Sequence, residues 1–216
     1  MTLPRVLAIM GSGETAPTMV TTHRRLTALL PKPVNAVVLD TPYGFQENAP
    51  ELASRAVEYF ATSVNVELKV AGLTRLVDGH VSVDPLEVER GLNALVDADY
   101  VFAGPGSPTY ALRQWKGSRV PTIVSDKLRH GGIVTFASAA ALTLGRSTVP
   151  VYEVYKVGAD VSVLDGLDLL GVIGIDAAVI PHYDNAEGGH HDTRFCYLGE
   201  ARLKAFERMI ADTTFV

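Results

Sequence analysis

The sequence predicts an α/β fold of three layers, with a mostly parallel central sheet between helices. Three observations predict it. Short runs rich in β-branched residues alternate with longer amphipathic stretches, which is the pattern of βαβ units around a buried parallel sheet. Three of the amphipathic stretches open at or beside a proline, where a missing N–H costs a helix nothing. The length, 216 residues, suits one sizeable core and is short for two. One domain spanning 1–216 is therefore expected.

In chain order, the apolar run 6–10 reads as a first buried strand that breaks into glycines. A helix is expected over 16–30, a strand over 36–40 and a helix over 50–61. Strand 66–71, helix 85–96 and strand 100–103 follow, then helices 108–115 and 122–129. Strand 133–136 comes next. The stretch 145–174 is broken by Pro150, Gly158, Gly166 and Gly171 and reads as loops and small strands over one end of the sheet. A last strand is expected over 177–181. The final helix, 193–210, would place Phe195, Leu198, Leu203, Phe206 and Ile210 on one apolar face.

Composition narrows the function classes. Apolar residues at 47% and charged ones at 20% exclude wholesale disorder. No apolar run approaches the roughly 20 residues that span a bilayer, and the N-terminus lacks the pattern of a secretory signal. Cys196 is the single cysteine, so no internal disulfide can form, and a cytoplasmic location is expected. The net charge is −5 with no Lys/Arg cluster beyond Arg24-Arg25, which speaks against nucleic acid as a partner.

Ligands of open parallel sheets bind at the carboxyl ends of the strands. That directs attention to the junctions 11–16, 40–46, 104–110, 136–141 and 181–185. In 133–142, IVTFASAAAL, a buried strand runs straight into Ser138 and then into small helix formers. An exposed nucleophile on a tight strand-to-helix turn needs such small neighbours and gains from the helix N-terminus. A serine there can equally cap the helix. His182, directly after a strand in VIPHYDN, can serve as general base or be structural. Gly106, in GPGSPTY, lies in a glycine turn that presents backbone N–H groups, useful to an oxyanion and also common as a plain connection.

Taken together in their order, these pieces resemble the aspartyl dipeptidase (dipeptidase E) and cyanophycinase family of serine peptidases. That family has the class I glutamine amidotransferase-like (flavodoxin-like) fold. FASAAA stands where the family's G-x-S-A-G-A elbow stands, PHYDNAEGGHHDTR is similar to its histidine motif and following GxTR-like stretch, and GPGSPTY resembles its oxyanion turn. The resemblance implies Ser138 as nucleophile, His182 as base and the N–H groups of Ala139 and Gly106 as oxyanion donors. Glu153, fifteen residues past the serine, stands where dipeptidase E has the aspartate of its triad, with Asp160 and Asp184 as alternatives. Two elbow glycines are replaced, by Phe136 and Ala140; the phenylalanine must point into the core or block the site. Family members continue past this C-terminus, so ending at TTFV implies a shorter form or a chain that stops early.

The implied activity is hydrolysis of an amide bond in a small acidic peptide through an acyl-enzyme, with neither metal nor cofactor and with a homodimer plausible. Recognition of an aspartyl side chain asks for a cation, for which Arg194 is the candidate. Glu14, in GSGETAP, could hold a substrate ammonium or merely open a helix. Competing readings are a binding or oligomeric module with a decayed elbow, and an NAD-binding protein using Gly11–Ala16 with Asp40 on the ribose. A metal site from His182, His190, His191 and Asp192 lacks any HExxH-like spacing. Cys196 is read as buried and inert in the last helix.

Overall fold

The computed structural model describes residues 2–77, 79, 82–186, 190–210 and 214–215. Five strands, β1 (Arg5–Met10), β2 (Ala36–Val38), β3 (Leu68–Val70), β4 (Tyr100–Ala103) and β5 (Gly132–Ala137), form one sheet in the order β1-β5-β4-β2-β3. All its pairings are parallel. Parallel strands need crossovers, and helices supply them on both faces.

The alternation of side chains along β4 and β5 explains why both faces are apolar. Tyr100, Phe102, Ile133 and Ala137 point to one side, against Phe60, Val64 and Ala56. Ala56 belongs to α2 (Ala49–Tyr59), which shares this side with α1 (Val20–Thr27). Val101, Ala103, Val134 and Phe136 point to the other side. There they meet Leu92 and Leu95 of α3 (Pro85–Asp97), Ala111 and Trp115 of α4 (Pro108–Trp115), and Val124 and Leu128 of α5 (Val120–His130). The three-layer α/β architecture with a mostly parallel sheet is thus observed.

Two elements differ from expectation. The strand expected over 177–181 is outside the main sheet: β6 (Ser147–Thr148) pairs antiparallel with β7 (Leu164–Asp165), and β8 (Ala177–Ala178) pairs with β9 (Thr214–Phe215). Past β8 the chain touches the end of β1 through the His182 N–H, which donates to the Gly11 carbonyl at 3.3 Å. The helix expected over 193–210 is broken. Phe195, Cys196 and Tyr197 are left-handed (φ 57°, 56° and 66°), and the right-handed helix runs only over Gly199–Met209.

The apolar spacing was nevertheless informative, because Phe195, Leu198, Leu203, Phe206 and Ile210 all enter one buried cluster. Leu142, Val149, Val151, Val154 and Ile180 complete it. This third cluster lies beside the sheet and shares with it the segment that holds His182, since Ala178 and Ile180 pack here and Ala177 and Val179 in the sheet's own core. Among the described residues, no helix is long and apolar enough to cross a membrane.

Candidate active site

β5 ends at Ala137, and the next residue, Ser138, begins the five-residue helix α6 (Ser138–Leu142) with φ 50°. A left-handed serine is strained, and such strain persists only where the surroundings over-determine it. Here they do: Ala139, Ala140, Ala141 and Leu142 are buried, and the Ala140 N–H donates to the Gly104 carbonyl at 3.2 Å. Among the described residues no side chain caps α6. Instead of capping, the Ser138 hydroxyl lies 2.9 Å from Nε2 of His182.

The histidine is held by its backbone. It too is left-handed (φ 51°), its N–H donates to Gly11, and its carbonyl accepts the Cys196 N–H at 3.3 Å. The left-handed turn therefore clasps the residue that faces Ser138, and the Tyr197 ring lies 5.9 Å from the imidazole. Gly106 (φ 140°) closes the other side. A Cβ there would stand 2.0 Å from the Pro42 carbonyl oxygen, so only glycine fits. The N–H groups of Gly106 and Ala139 donate to no backbone carbonyl among the described residues. Ser138, Ala139, Gly106 and His182 line one cavity of about 460 Å³, with Tyr152, Tyr155, Lys156, Thr193 and Tyr197.

The expected partners of this group are distributed otherwise. Glu153 lies outside that cavity: its Oε2 accepts a hydrogen bond from the Thr109 hydroxyl at 2.8 Å, in a separate hollow lined by Phe45 and Arg113. The reason is local. Residues Glu153–Val157 form one turn of π-helix whose Val154 is buried, and Tyr155 and Lys156 take the side toward Ser138. Asp160 and Asp184 are exposed. Arg194 is also elsewhere engaged. Its Nε and Nη2 donate to both oxygens of Asp192 at 2.8 Å, with Glu200 3.8 Å away. The guanidinium holds the Asp192 carboxyl well below the usual carboxylate range. Among the described residues, Lys156 is the cation that lines the Ser138 cavity.

Glu14 is buried and lines a third hollow, beyond the Gly104–Gly106 turn. The loop that carries it does not open directly into a helix, since a 3-10 turn at Pro17–Met19 precedes α1. Asp40 accepts the Leu73 N–H at 2.8 Å, and burial raises its carboxyl above the ordinary range. A buried, internally bonded aspartate does not offer itself to a ribose. Among the described residues no cluster of His, Cys, Asp and Glu could hold a metal ion. Cys196 lies in the left-handed turn rather than in a helix, and burial pushes its thiol up to about 12.

Sequence reasoning passed over His23, Lys156 and Thr109. His23 is fully buried, with Nε2 2.7 Å from the Glu14 carbonyl and Nδ1 2.8 Å from the Tyr100 hydroxyl. A carbonyl only accepts, so Nε2 carries the proton and Nδ1 accepts from the phenol. Burial also lowers the imidazole's pKa. Its spacing to Leu26 and Leu30 on one helical face was a usable signal. Lys156 lies in the stretch without periodicity and gave none.

No family model matches the chain, and no curated protein does. Solved structures do match its backbone. A peptidase from an acI-B1 Actinobacterium superposes with TM-score 0.64 at 18% identity, covering 82% of this chain and 68% of that one. A protein described as a "putative Peptidase E" from Listeria monocytogenes EGD-e superposes with TM-score 0.57 at 12% identity, covering 97% and 88%. At such identities the likeness is one of architecture: the chain shares the three-layer α/β fold of these two proteins.

Proposed function

We propose that the protein is a serine-type hydrolase that cleaves an amide bond in a small acidic peptide through an acyl-enzyme. One observation carries the reading: a strained serine at a strand-to-helix turn, its hydroxyl 2.9 Å from a histidine ring nitrogen. A left-handed elbow lifts the hydroxyl out of the sheet edge, and an imidazole at that distance can take its proton as the oxygen attacks a carbonyl. The oxyanion that forms meets the N–H groups of Ala139 and Gly106; one such donor is worth roughly 100- to 1,000-fold in rate. His182 then gives the proton to the leaving amine, and a water activated by the same imidazole releases the acyl group.

Glu153 has no part in this cycle, because its carboxylate is bound to Thr109. His182 is positioned by its backbone bonds to Gly11 and Cys196. Lys156, on the cavity wall with its Nζ 5.0 Å from the centre of the Tyr155 ring, takes the role of carboxylate partner expected of Arg194. Phe136 gives no ground for a decayed elbow, since it is fully buried against Trp115.

The test compares wild type with Ser138→Ala on Asp-Xaa and Asn-Xaa dipeptides. Loss of the nucleophile should lower kcat by at least about 10⁴-fold, and wild type should favour the aspartyl series. A serine-directed phosphonate should label wild type only. Equal turnover by both proteins would exclude the mechanism, and an unlabelled wild type would favour a non-enzymatic binding module.

A further inference from the structure

We infer that the outer edge of β1 is a docking site for an extended, acidic segment of a partner protein, added to the sheet as a further strand. The inference does not depend on the hydrolase reading. β1 stands at one end of the order β1-β5-β4-β2-β3, so one of its sides faces no other strand of that sheet. Backbone parity tells which groups that side offers. The Pro4 carbonyl accepts the Gly132 N–H at 2.8 Å, so in this register Val6 and Ala8 also turn their N–H and C=O groups toward β5. Those of Arg5, Leu7 and Ile9 turn the other way, and nothing among the described residues bonds them. At Gly11 the outward carbonyl already accepts the His182 N–H, which closes the edge there. Open backbone groups of this kind are a template for strand addition.

A hollow of about 450 Å³ lies against the same strand. Leu7, Leu128, Val172 and Ile173 give it an apolar lining, and Arg5 and Arg129 a charged one. Both arginines are exposed, and neither forms an ion pair among the described residues. Ile173 and Ile9 are exposed as well, although apolar. Alternate side chains of an added strand point to the face that Arg5 and Leu7 share. An apolar residue on that face covers Leu7 and Ile173, and an acidic one meets the guanidinium groups.

Charge selects the occupant. A second copy of this chain could pair its own β1 with this one about a two-fold axis. That strand, RVLAIM, contains no acid, and centred on Leu7 the pairing sets Arg5 opposite Ile9 of the other copy. Both arginines would then stay without a counter-ion. A foreign segment that carries acids and an apolar residue on one face satisfies the backbone edge, the apolar lining and the two cations together.

The experiment titrates the full chain against a fluorescein-labelled peptide, Glu-Thr-Val-Thr-Glu, read by anisotropy. Its glutamates and valine share one face in either direction along β1. The peptide should bind saturably, and its lysine analogue, Lys-Thr-Val-Thr-Lys, about 10-fold or more weakly, the scale of two exposed ion pairs turned to repulsion. The double variant Arg5→Glu, Arg129→Glu should reverse that preference. N-methylation at the threonines and at the valine should differ in effect, one blocking and the other sparing, because the two sets of N–H groups face opposite sides of a strand. On saturation, amide exchange of Leu7 and Ile9 should slow while that of Val6 and Ala8 stays as it was. Absence of saturable binding by wild type overturns the inference, and needs no variant to fold. So does equal binding of the lysine analogue, or equal loss from both methylations. Sedimentation as a dimer whose Leu7 and Ile9 amides are protected without peptide would give the edge to a second copy, and would overturn it too.

Discussion

Phe136 and Gly106 show how single residues decide whether a turn can be built. Along β5 the side chains alternate, so Phe136 follows Val134 toward the Trp115 layer while Ala137 follows Ile133 to the opposite face. A bulky residue two before the serine is thus tolerable: strand geometry sends it into the core, and its ring lies 5.7 Å from that of Trp115. Gly106 has no such freedom. Its φ of 140° is glycine territory, and an added Cβ would stand 2.3 Å from the Pro42 carbonyl carbon. Gly106→Ala should therefore destabilise the protein by more than about 1 kcal/mol, read as a lower urea midpoint. It should also lower peptide turnover, because the turn must move to admit the methyl. A midpoint equal to that of wild type would show that the turn yields freely and that its glycine is not required.

At the scale of elements, the sequence was legible wherever periodicity and turn chemistry agreed. The expected helix 108–115 is α4, opened by Ser107 accepting the Tyr110 N–H at 3.1 Å, and the expected strand 100–103 is β4. Ser138 with Ala139, and Gly106, follow the ends of β5 and β4 at one rim of the sheet, and His182 reaches the same cavity from outside the main sheet. Glu153 and the last helix were not legible, for a shared reason. Each lies where the backbone leaves α-helical geometry, in a wider π-helical turn and in a left-handed one, and apolar spacing reports neither. The left-handed turn carries Cys196, whose thiol is pushed up to about 12 by burial. The sign is that of an acid kept neutral: at pH 8 its thiolate fraction falls roughly 1,000-fold below that of an unperturbed cysteine. Iodoacetamide should accordingly label the native protein about that much more slowly than a free thiol, and treatment should leave peptide hydrolysis intact. Rapid labelling with loss of turnover would make Cys196 the nucleophile to consider instead of Ser138.

Across the whole molecule the candidate catalytic pair spans two cores. Ser138 follows β5, in the sheet packed on both faces, whereas the segment before His182 lies between two clusters: Ala177 and Val179 pack with the sheet, and Ala178 and Ile180 with the third cluster around Phe206 and Leu203. Helix α6 is the joint, since Ala140 and Ala141 pack with the sheet and Leu142 with that cluster. The 2.9 Å contact at the site therefore depends on the third cluster as well as on the sheet, and weakening that cluster should separate the pair before the sheet is lost. Phe206 is the lever, because it is fully buried in the third cluster and absent from the Ser138 cavity. Phe206→Ala should cost about 3–5 kcal/mol where the cluster opens. Local opening can be measured amide by amide. Hydrogen exchange should quicken across 177–186 and Gly199–Met209 while the amides of β4 and β5 keep their protection. Turnover should fall with kcat more than with KM, as the fraction of molecules with imidazole against hydroxyl shrinks. Uniform loss of protection through β5 as well would mean that sheet and cluster unfold as one unit, and the joint at α6 would then have no independent meaning.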